Sequence, residues 1–362
     1  MERGRLRPYS FDGVAYAKVG NTKTKLSQGE KDRLMAERLH QSDSWDAAPS
    51  RLGIEALDLG ELELTVREAI EAGRMSEPPD WDPLTLLRCL GLVERDGRLR
   101  NGALVLFGRH DSLMADYQSC AVSLVRYNGL TKTDETADFR RYEGNIFTLL
   151  RHAETFLSDH LRVATRMEGM KRIDMPEVPV YSQREALVNA LCHRQYETSG
   201  ATSVYVFDDR VEIASIGPLH FGLSVSDLLA PHESQPWNPL IASGLYRRGV
   251  IDTQGSGTLR MIDQARKAGK WPPEIISSNH SVRVEFIRDG WIPTRYRSVE
   301  LSEAREQILR LVVASPEPVA PAAIIAEMGL HSTTVSEHLR ALVDAGMLIR
   351  SGQGRAIRYQ AR

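Results

Sequence analysis

The sequence is poor in cysteine, has no excess of charge of either sign and contains no long apolar run. Its three cysteines, Cys89, Cys120 and Cys192, stand apart without Cys-x-x-Cys or paired-histidine spacing, so neither a disulfide framework nor a zinc site is expected. Lys and Arg total 46 against 48 Asp and Glu, which means that any nucleic-acid binding must reside in a local patch. Without an apolar window of membrane-spanning length, or an apolar run after the charged N-terminus, the sequence predicts a soluble cytoplasmic protein with no signal peptide.

The most informative stretch that is present is an apolar helix with a polar stripe. Residues 184–196, REALVNALCHRQY, are small or apolar on nearly every side, which predicts a buried helix. Glu185, Asn189 and His193 follow one another at four-residue spacing and therefore share one face. A buried carboxylate without a partner is costly, so this face must border either a satisfied polar network or a cavity that holds a ligand, and these residues alone favour neither.

Two glycines at the start of a later helix favour the ligand cavity. Gly255 and Gly257 directly precede the apolar helical positions of residues 259–265. Glycines there let backbone N–H groups approach phosphate oxygens, and the helix dipole favours negative charge at that end. A single Gly-x-Gly is weak evidence for a phosphate site. The order of the predicted elements strengthens it, because a hairpin over 203–217 and a lid-like loop over 231–239 lie between the striped helix and these glycines.

The first 110 residues predict a mixed region. An alternating strand at Gly13–Gly20 precedes a capping box formed by Ser27 and Glu30, which begins a helix. Helices are also predicted near 64–72 and 83–92.

Asp96-Gly97 predicts a hairpin turn between two strands. Helix plus hairpin is the shape of a small winged helix, but few basic residues accompany it, so we favour a packing module between domains over a DNA contact. A strand over 120–127, a long helix around 142–161 and a loop from 162 lead into the striped helix.

The order of elements over residues 181–287 resembles the GHKL-type ATP-binding module of gyrase, histidine kinases and MutL. It is most similar to the variant that follows a Schlafen-type AlbA domain in bacterial proteins described as transcriptional regulators or RecG-like. REALVNALCHRQY resembles the motif REALxNAxxHRDY, IASIGPL an NPGGL turn, WNPLIA an RNPxxA segment and QGSGTLRM a GTGxxRM motif. Residues 8–110 resemble the rear part of the AlbA-type domain; its front part, with the acidic nuclease cluster of Schlafen relatives, is missing, so no nuclease activity is expected.

The resemblance implies an α+β fold in which a GHKL-type α/β sandwich holds ATP and Mg²⁺. It makes Glu185 the general base that orients the attacking water and Asn189 a ligand of Mg²⁺, roles that suit a carboxylate and an amide oxygen. It also implies further cofactor-binding residues along the cavity: His193, Ser215, Gly217, Gly255, Ser256, Gly257 and Thr258.

The sequence departs from the superfamily pattern at four of these motif positions. Ser215 stands where ATPases of the superfamily have an Asp that accepts from the adenine amino group, and Pro218 replaces a glycine. Gln195 and Trp237 replace an Asp and an Arg of the variant. Because a charged acceptor for the base is missing, binding without turnover and binding of another nucleotide both stay open.

The C-terminal region predicts three helices followed by a hairpin, and STTVSEHLRALVDAGML resembles the core of ArsR- and MarR-like winged-helix regulators. Short polar and basic side chains are expected to face outward from the third helix and the wing. The candidate DNA-binding residues are Ser332, Thr333, Thr334, Ser336, His338, Arg340, Arg350, Arg355 and Arg358. An acid-free basic wing on a neutral protein favours contact with DNA phosphates over protein pairing.

These observations divide the chain into four parts. We predict a partial AlbA-type region with a helix-hairpin unit (1–110), a GHKL-type ATP-binding-like domain (111–290), a linker (291–300) and a winged-helix DNA-binding domain (301–362). The predicted function is a nucleotide-binding transcriptional regulator that binds ATP and double-stranded DNA. An active, weak ATPase acting on DNA and a DNA-binding scaffold with a degenerate pocket are the alternatives, and a homodimer is left open.

Overall fold

The computed structural model describes residues 10–11, 14–19, 22–31, 34–35, 44–252, 255–296, 301–315 and 317–361. Its fold is α+β, as the sequence predicts.

Short strands form an antiparallel sheet near the N-terminus: β1 (Ser10–Phe11), β2 (Val14–Val19) and β3 (Thr22–Lys25). The predicted strand at 13–20 corresponds to β2. The predicted capping box is also formed, because Ser27 Oγ accepts from Glu30 N at 3.3 Å and Ser27 N donates to the Glu30 carboxylate at 2.7 Å. Much of the helix expected after it lies outside the described residues.

A helical layer follows, made of α1 (Leu59–Glu71), α2 (Pro83–Cys89), α3 (Asn101–Phe107) and α4 (His110–Asp116). The Asp96-Gly97 turn is present, with Val93 bridged to Leu99. The run after it, predicted as the second strand of a hairpin, is instead helix α3. All seven α3 residues are buried, and a run that is apolar on every side has no periodicity that separates strand from helix.

Six strands form the central sheet in the order β10-β11-β9-β8-β4-β5. They are β4 (Ala121–Asn128), β5 (Glu135–Glu143), β8 (Thr202–Val206), β9 (Arg210–Ile216), β10 (Glu274–Ser277) and β11 (Ser281–Ile287). Only β4 and β8 are parallel neighbours among these described strands. The register pairs Val282 with Ser215 and Val284 with Ile213, which places these side chains together at one face of the sheet.

The layer on that face contains α5 (Ile146–His160), the striped helix α6 (Val180–Cys192), the short α7 (Val225–Leu228), α8 (Pro239–Arg247) and α9 (Gly257–Lys267). The predicted helices around 142–161 and after Gly257 are confirmed as α5 and α9. The helix predicted over 184–196 is confirmed as α6 only as far as Cys192, since His193 is its C-cap and residues 194–196 follow the helix.

An antiparallel hairpin precedes α6, where the sequence predicts a loop. It consists of β6 (Val163–Glu168) and β7 (Lys171–Pro176), joined through Gly169 with a φ of 62°. Val163 and Met167 are more than half exposed, and Met170 is fully exposed. Ile173 and Met175 of β7 are half-buried and alternate with exposed Arg172 and Asp174, a signal that the prediction of a loop missed, whereas the described side chains of β6 are exposed.

One hydrophobic core runs from Ala56 to Phe286 and extends across the boundary predicted at residue 110. The N-terminal segment is also tied to later elements by polar contacts. The fully buried carboxylate of Asp46 accepts the N–H groups of Leu240 and Ile241 at 2.7 and 3.1 Å, which caps α8 from a segment 194 residues away. The division into domains itself stays a prediction.

The C-terminal part has the predicted three helices and hairpin: α10 (Glu303–Val313), α11 (Pro321–Met328), α12 (Ser332–Asp344), β12 (Leu348–Ser351) and β13 (Arg358–Ala361). Its core is separate from the first, yet it includes Trp271 and Ile287 from the part of the chain that precedes it. Within the described ranges, no helix has both the length and the apolar character needed to cross a membrane.

Candidate functional site

A cavity of about 350 Å³ lies between α6, α9 and the face of strands β9 and β11. This volume falls within the range typical of small-molecule pockets. The cavity is lined by every residue that the sequence assigns to the cofactor: Glu185, Asn189, His193, Ser215, Gly217, Gly255, Ser256, Gly257 and Thr258. The structure therefore brings together residues that lie up to 73 positions apart in the chain, since the set begins at 185 and ends at 258.

The polar stripe of α6 forms one wall of this cavity. Asn189 Nδ2 donates a hydrogen bond to Glu185 Oε1 at 3.0 Å, one turn along the helix. Burial raises the pKa of Glu185, and the bond from Asn189 partly opposes that rise. No described residue donates to Asn189 Oδ1, so this oxygen is available to a ligand.

The adjoining wall is the N-terminus of α9, which has no side-chain cap. The first helical hydrogen bond runs from Arg260 N to Ser256 O at 2.9 Å, so the N–H groups of Gly257, Thr258 and Leu259 have no acceptor among the described residues. Ser256 Oγ is also buried without a hydrogen-bond partner there. These donors form a concave group of the kind that binds anions.

Both glycines of this loop are required by close contacts. A Cβ on Gly257 would overlap the carboxylate of Glu185, so the general-base candidate lies directly against the helix start. Gly255 has a φ of 64°, and a Cβ there would overlap the backbone carbonyl of His232 in the lid-like loop. Glycine therefore allows three elements, α6, the lid and the α9 start, to meet at one point.

The remaining wall is mostly apolar. Ile213 and Val284 come from the sheet, and Met261 comes from α9. Ser215 is buried at the end of β9, and Gly217, with a φ of 114°, makes the turn that follows it. Among the described residues that line the cavity, the carboxylates are Glu185 and Asp252.

Asp252 forms an ion pair with Arg260 at 2.5 Å. Since Glu185 lies on α6 and Asp252 is paired with Arg260, the apolar wall near Ser215 has no carboxylate among the described lining residues. This agrees with the serine that the sequence has where related ATPases have an Asp.

His193 ends α6 and faces the same cavity. Burial lowers the pKa of its imidazole to about 4, so the ring is neutral near pH 7. A neutral imidazole offers one donor and one acceptor to a ligand.

This burial predicts a pH dependence of stability. The unfolded chain takes up a proton on His193 near the ordinary value of 6.5, whereas the folded protein does so only near 4. The free energy of unfolding should therefore be unaffected by this group above pH 6.5 and should fall as the pH is lowered from 6.5 to 4. Urea titrations at several pH values should show a shallower fall in His193→Gln than in the wild type. An exposed-histidine control, His110→Gln, should keep the wild-type slope; equal slopes in all three proteins would contradict the burial of His193.

The sequence does not indicate how the lid-like loop is held. Trp237 stacks on His220 with ring centroids 3.5 Å apart and planes 15° apart, and both side chains are buried. The next residue, Asn238, is fully buried and donates from Nδ2 to the carbonyls of Cys192 and Arg194 at 2.8 Å each. An Asn-Pro pair before an apolar helix is a signal that could have found Asn238, whereas its partners at the end of α6 are visible only in the structure.

The described residues contain no group of three or more His, Cys, Asp or Glu side chains placed to hold a metal ion. Mg²⁺ commonly takes one or two protein oxygens and completes its shell with phosphate and water, so such a group is not needed for a metal that arrives with a nucleotide.

The winged helix exposes most of its predicted DNA-binding residues. Ser332, Thr333, Ser336 and Arg340 are exposed on α12, while Thr334 and His338 are half-buried. Arg350 is exposed on β12. Neither Arg340 nor Arg350 forms an ion pair with a described residue, so both charges are available to phosphate.

Three of the predicted DNA-binding residues make local hydrogen bonds, and a fourth lies outside the described side chains. Ser336 Oγ donates to Ser332 O at 2.8 Å, and Thr333 Oγ1 lies 2.9 Å from His331 Nδ1. Arg358 is half-buried and donates to Ile357 O at 2.8 Å. The side chain of Arg355 lies outside what the structure describes.

Two family models match the chain in the regions that carry these features. Residues 200–286 match the HATPase-type model described as "Putative ATP-dependent DNA helicase recG C-terminal", and residues 301–350 match a "Helix-turn-helix domain" model. Together the matches indicate a nucleotide-binding, DNA-binding protein. Neither match covers residues 1–199, so the resemblance to a Schlafen AlbA-type domain stays a prediction.

One solved structure supports the fold. The crystal structure of the DIP2311 protein from Corynebacterium diphtheriae, a target of the Northeast Structural Genomics Consortium, aligns with a TM-score of 0.55 and 15% identity. The alignment covers 96% of this chain and 75% of that chain. No curated protein matches the chain at a significant level.

Proposed function

We propose that this protein is an ATP-binding transcriptional regulator that binds double-stranded DNA through its winged helix. The observation that carries the nucleotide part is the placement of Glu185 and Asn189 directly beside the uncapped N-terminus of α9. A carboxylate, an amide and a row of free N–H groups around one cavity are the groups that an NTP-binding site needs.

The roles follow from the atoms that each residue presents. The N–H groups of Gly257, Thr258 and Leu259 bind phosphate oxygens, and Ser256 Oγ donates beside them. Asn189 Oδ1 would hold Mg²⁺, while its Nδ2 donates to Glu185 and keeps that side chain in place. Bound Mg²⁺ neutralises phosphate charge.

Glu185 is the residue that accepts a proton from an attacking water if ATP is turned over. Its raised pKa places proton acceptance closer to neutrality than for an ordinary carboxylate, and turnover should rise with pH through that pKa as the carboxylate ionises. If the wild type releases phosphate from ATP, and Glu185→Gln binds ATP with wild-type affinity but releases none, the protein is an active ATPase. ATP binding without release would leave a nucleotide-controlled regulator.

The apolar wall formed by Ile213 and Val284 would receive the base, and Ser215 is the polar residue of β9 that lines the cavity there. A serine hydroxyl both donates and accepts, so it does not distinguish an adenine amino group from a guanine carbonyl as a carboxylate does. Affinities for ATP and GTP are therefore expected to lie within about tenfold of each other, because one neutral contact is worth roughly 1 kcal/mol.

DNA binding is assigned to α12 and the wing. Arg340→Ala and Arg350→Ala should each weaken binding to double-stranded DNA and reduce the slope of log affinity against log salt by about 1, because each removes one phosphate contact. Fluorescence anisotropy at several salt concentrations measures both quantities. Arg109→Ala, which removes an exposed arginine of the helical layer, is the matched control and should leave the slope unchanged. Unchanged slopes in both winged-helix variants would assign this domain to protein pairing instead.

A further inference from the structure

Helix α9 has its two ends in two different sites. Its N-terminus forms the proposed phosphate-binding wall, and its 11 residues extend about 16 Å at 1.5 Å per residue. At the other end Gly269, with a φ of 65°, closes the helix, and Lys270 N donates back to Ala265 O at 2.8 Å. The chain then enters the winged-helix core at Trp271.

The C-terminal end of α9 is bound by a residue of the winged helix. Arg310 of α10 donates from Nη1 to Gly269 O at 2.6 Å, where the negative end of the helix dipole favours a cation. The same guanidinium lies over the Trp271 ring at 5.0 Å. Trp271 is only 4% exposed and donates from Nε1 to Trp291 O at 3.1 Å.

Strand β11 provides a second connection between the same two sites. Val282 and Val284 line the cavity, and Ile287, at the end of the same strand, is part of the winged-helix core. Helix α9 and strand β11 therefore each run from the cavity wall to the winged helix. The ion pair between Lys270 and Asp289 joins the segments that follow these two elements. Such closely packed elements shift as units rather than deforming freely.

We propose that α9 is the link that couples nucleotide binding to DNA binding, with the Arg310–Gly269–Trp271 contact as its winged-helix end. The inference rests on the proposed function and names its regulation. A phosphate bound at residues 255–258 contacts the N-terminus of α9 directly. The preferred position of α9 therefore differs between the nucleotide-bound and the nucleotide-free protein. Arg310 passes this difference to α10, which packs against the DNA-contacting helix α12.

The test is a linkage measurement on wild type and Arg310→Ala. In the wild type, saturating ATP with Mg²⁺ should change DNA affinity by about 5-fold or more, and saturating DNA should change ATP affinity by the same factor. In Arg310→Ala, ATP affinity alone and DNA affinity alone should stay within about twofold of the wild type, while the coupling factor should fall to about 1. Arg305→Ala removes another arginine of α10 that makes no hydrogen bond to α9, and it should keep the wild-type factor.

Thermal melting would show whether Arg310→Ala folds. Trp271→Phe is a second variant that retains an aromatic ring but loses the bond to Trp291 O, and its coupling factor should also fall. If the wild type binds ATP and DNA but each without effect on the other, or if Arg310→Ala keeps full coupling, the inference is wrong while the proposed function stands. If the wild type binds no nucleotide or no DNA, the proposed function fails first.

Discussion

Replacement of Arg288 by alanine is expected to destabilise the folded protein by about 3–5 kcal/mol, the largest stability effect that we predict for a single side chain. Arg288 and Glu177 are 5% and 3% exposed, and Arg288 Nη2 lies 3.1 Å from Glu177 Oε2. Removal of the guanidinium would leave a buried carboxylate without its main partner. It would also remove the bond from Arg288 Nη1 to Phe207 O at 2.8 Å, and thereby loosen the turn between β8 and β9.

Urea denaturation of the variant measures this loss. Arg266→Ala breaks an exposed ion pair with Asp263 and should cost less than about 1 kcal/mol, which makes it the matched control. A Glu177→Met/Arg288→Met double variant removes both charges and should recover much of the stability that the single variant loses. A loss below about 1 kcal/mol in Arg288→Ala would mean that this pair is hydrated rather than buried.

Gly257→Ala should reduce ATP affinity by roughly 10–100-fold while the protein stays folded, because the added methyl group obstructs phosphate at the N–H groups that begin α9, and one charge-assisted hydrogen bond is worth about 1.5–3 kcal/mol. Gly257 is the first residue of α9 and does not have a left-handed backbone conformation, so alanine suits the helix itself. The added methyl group meets the carboxylate of Glu185, which must leave its place beside Asn189 and the phosphate-binding N–H groups.

Gly60→Ala is the matched control, because Gly60 lies in α1 and its nearest neighbour to an added Cβ is Asp58 Oδ1 at 3.3 Å. Calorimetry should find wild-type ATP affinity in Gly60→Ala and a large loss in Gly257→Ala. Wild-type affinity in both variants would mean that nucleotide does not approach the start of α9.

The parts of the site that the sequence predicts are those whose signals are local. Residues one turn apart on a helix must share a face, so the sequence alone places Glu185, Asn189 and His193 together. Gly255 and Gly257 before an apolar helical pattern likewise predict an open helix N-terminus. That these two groups form one cavity was expected only from their resemblance to a known order of elements.

The sequence pattern does not reveal contacts between distant residues, nor the type of an element whose apolar residues follow no helical or strand period. Nothing near Asp46 in the sequence indicates that it caps α8, and nothing near Arg310 indicates that it binds the end of α9. The run 101–107 is buried on every side, so the pattern does not separate helix from strand. The hairpin β6–β7 was missed for another reason, since the described side chains of β6 are exposed and only Ile173 and Met175 of β7 alternate with exposed residues.

Isothermal titration of the wild-type chain with ATP and Mg²⁺, repeated on Gly257→Ala, tests the nucleotide site most directly. We predict saturable binding of one ATP per chain in the wild type and a loss of roughly 10–100-fold in the variant, as expected for loss of a phosphate contact at the start of α9. Absence of binding by ATP and GTP to a wild-type protein that is folded and binds DNA would contradict a nucleotide site, and would leave a DNA-binding scaffold with an inactive cavity.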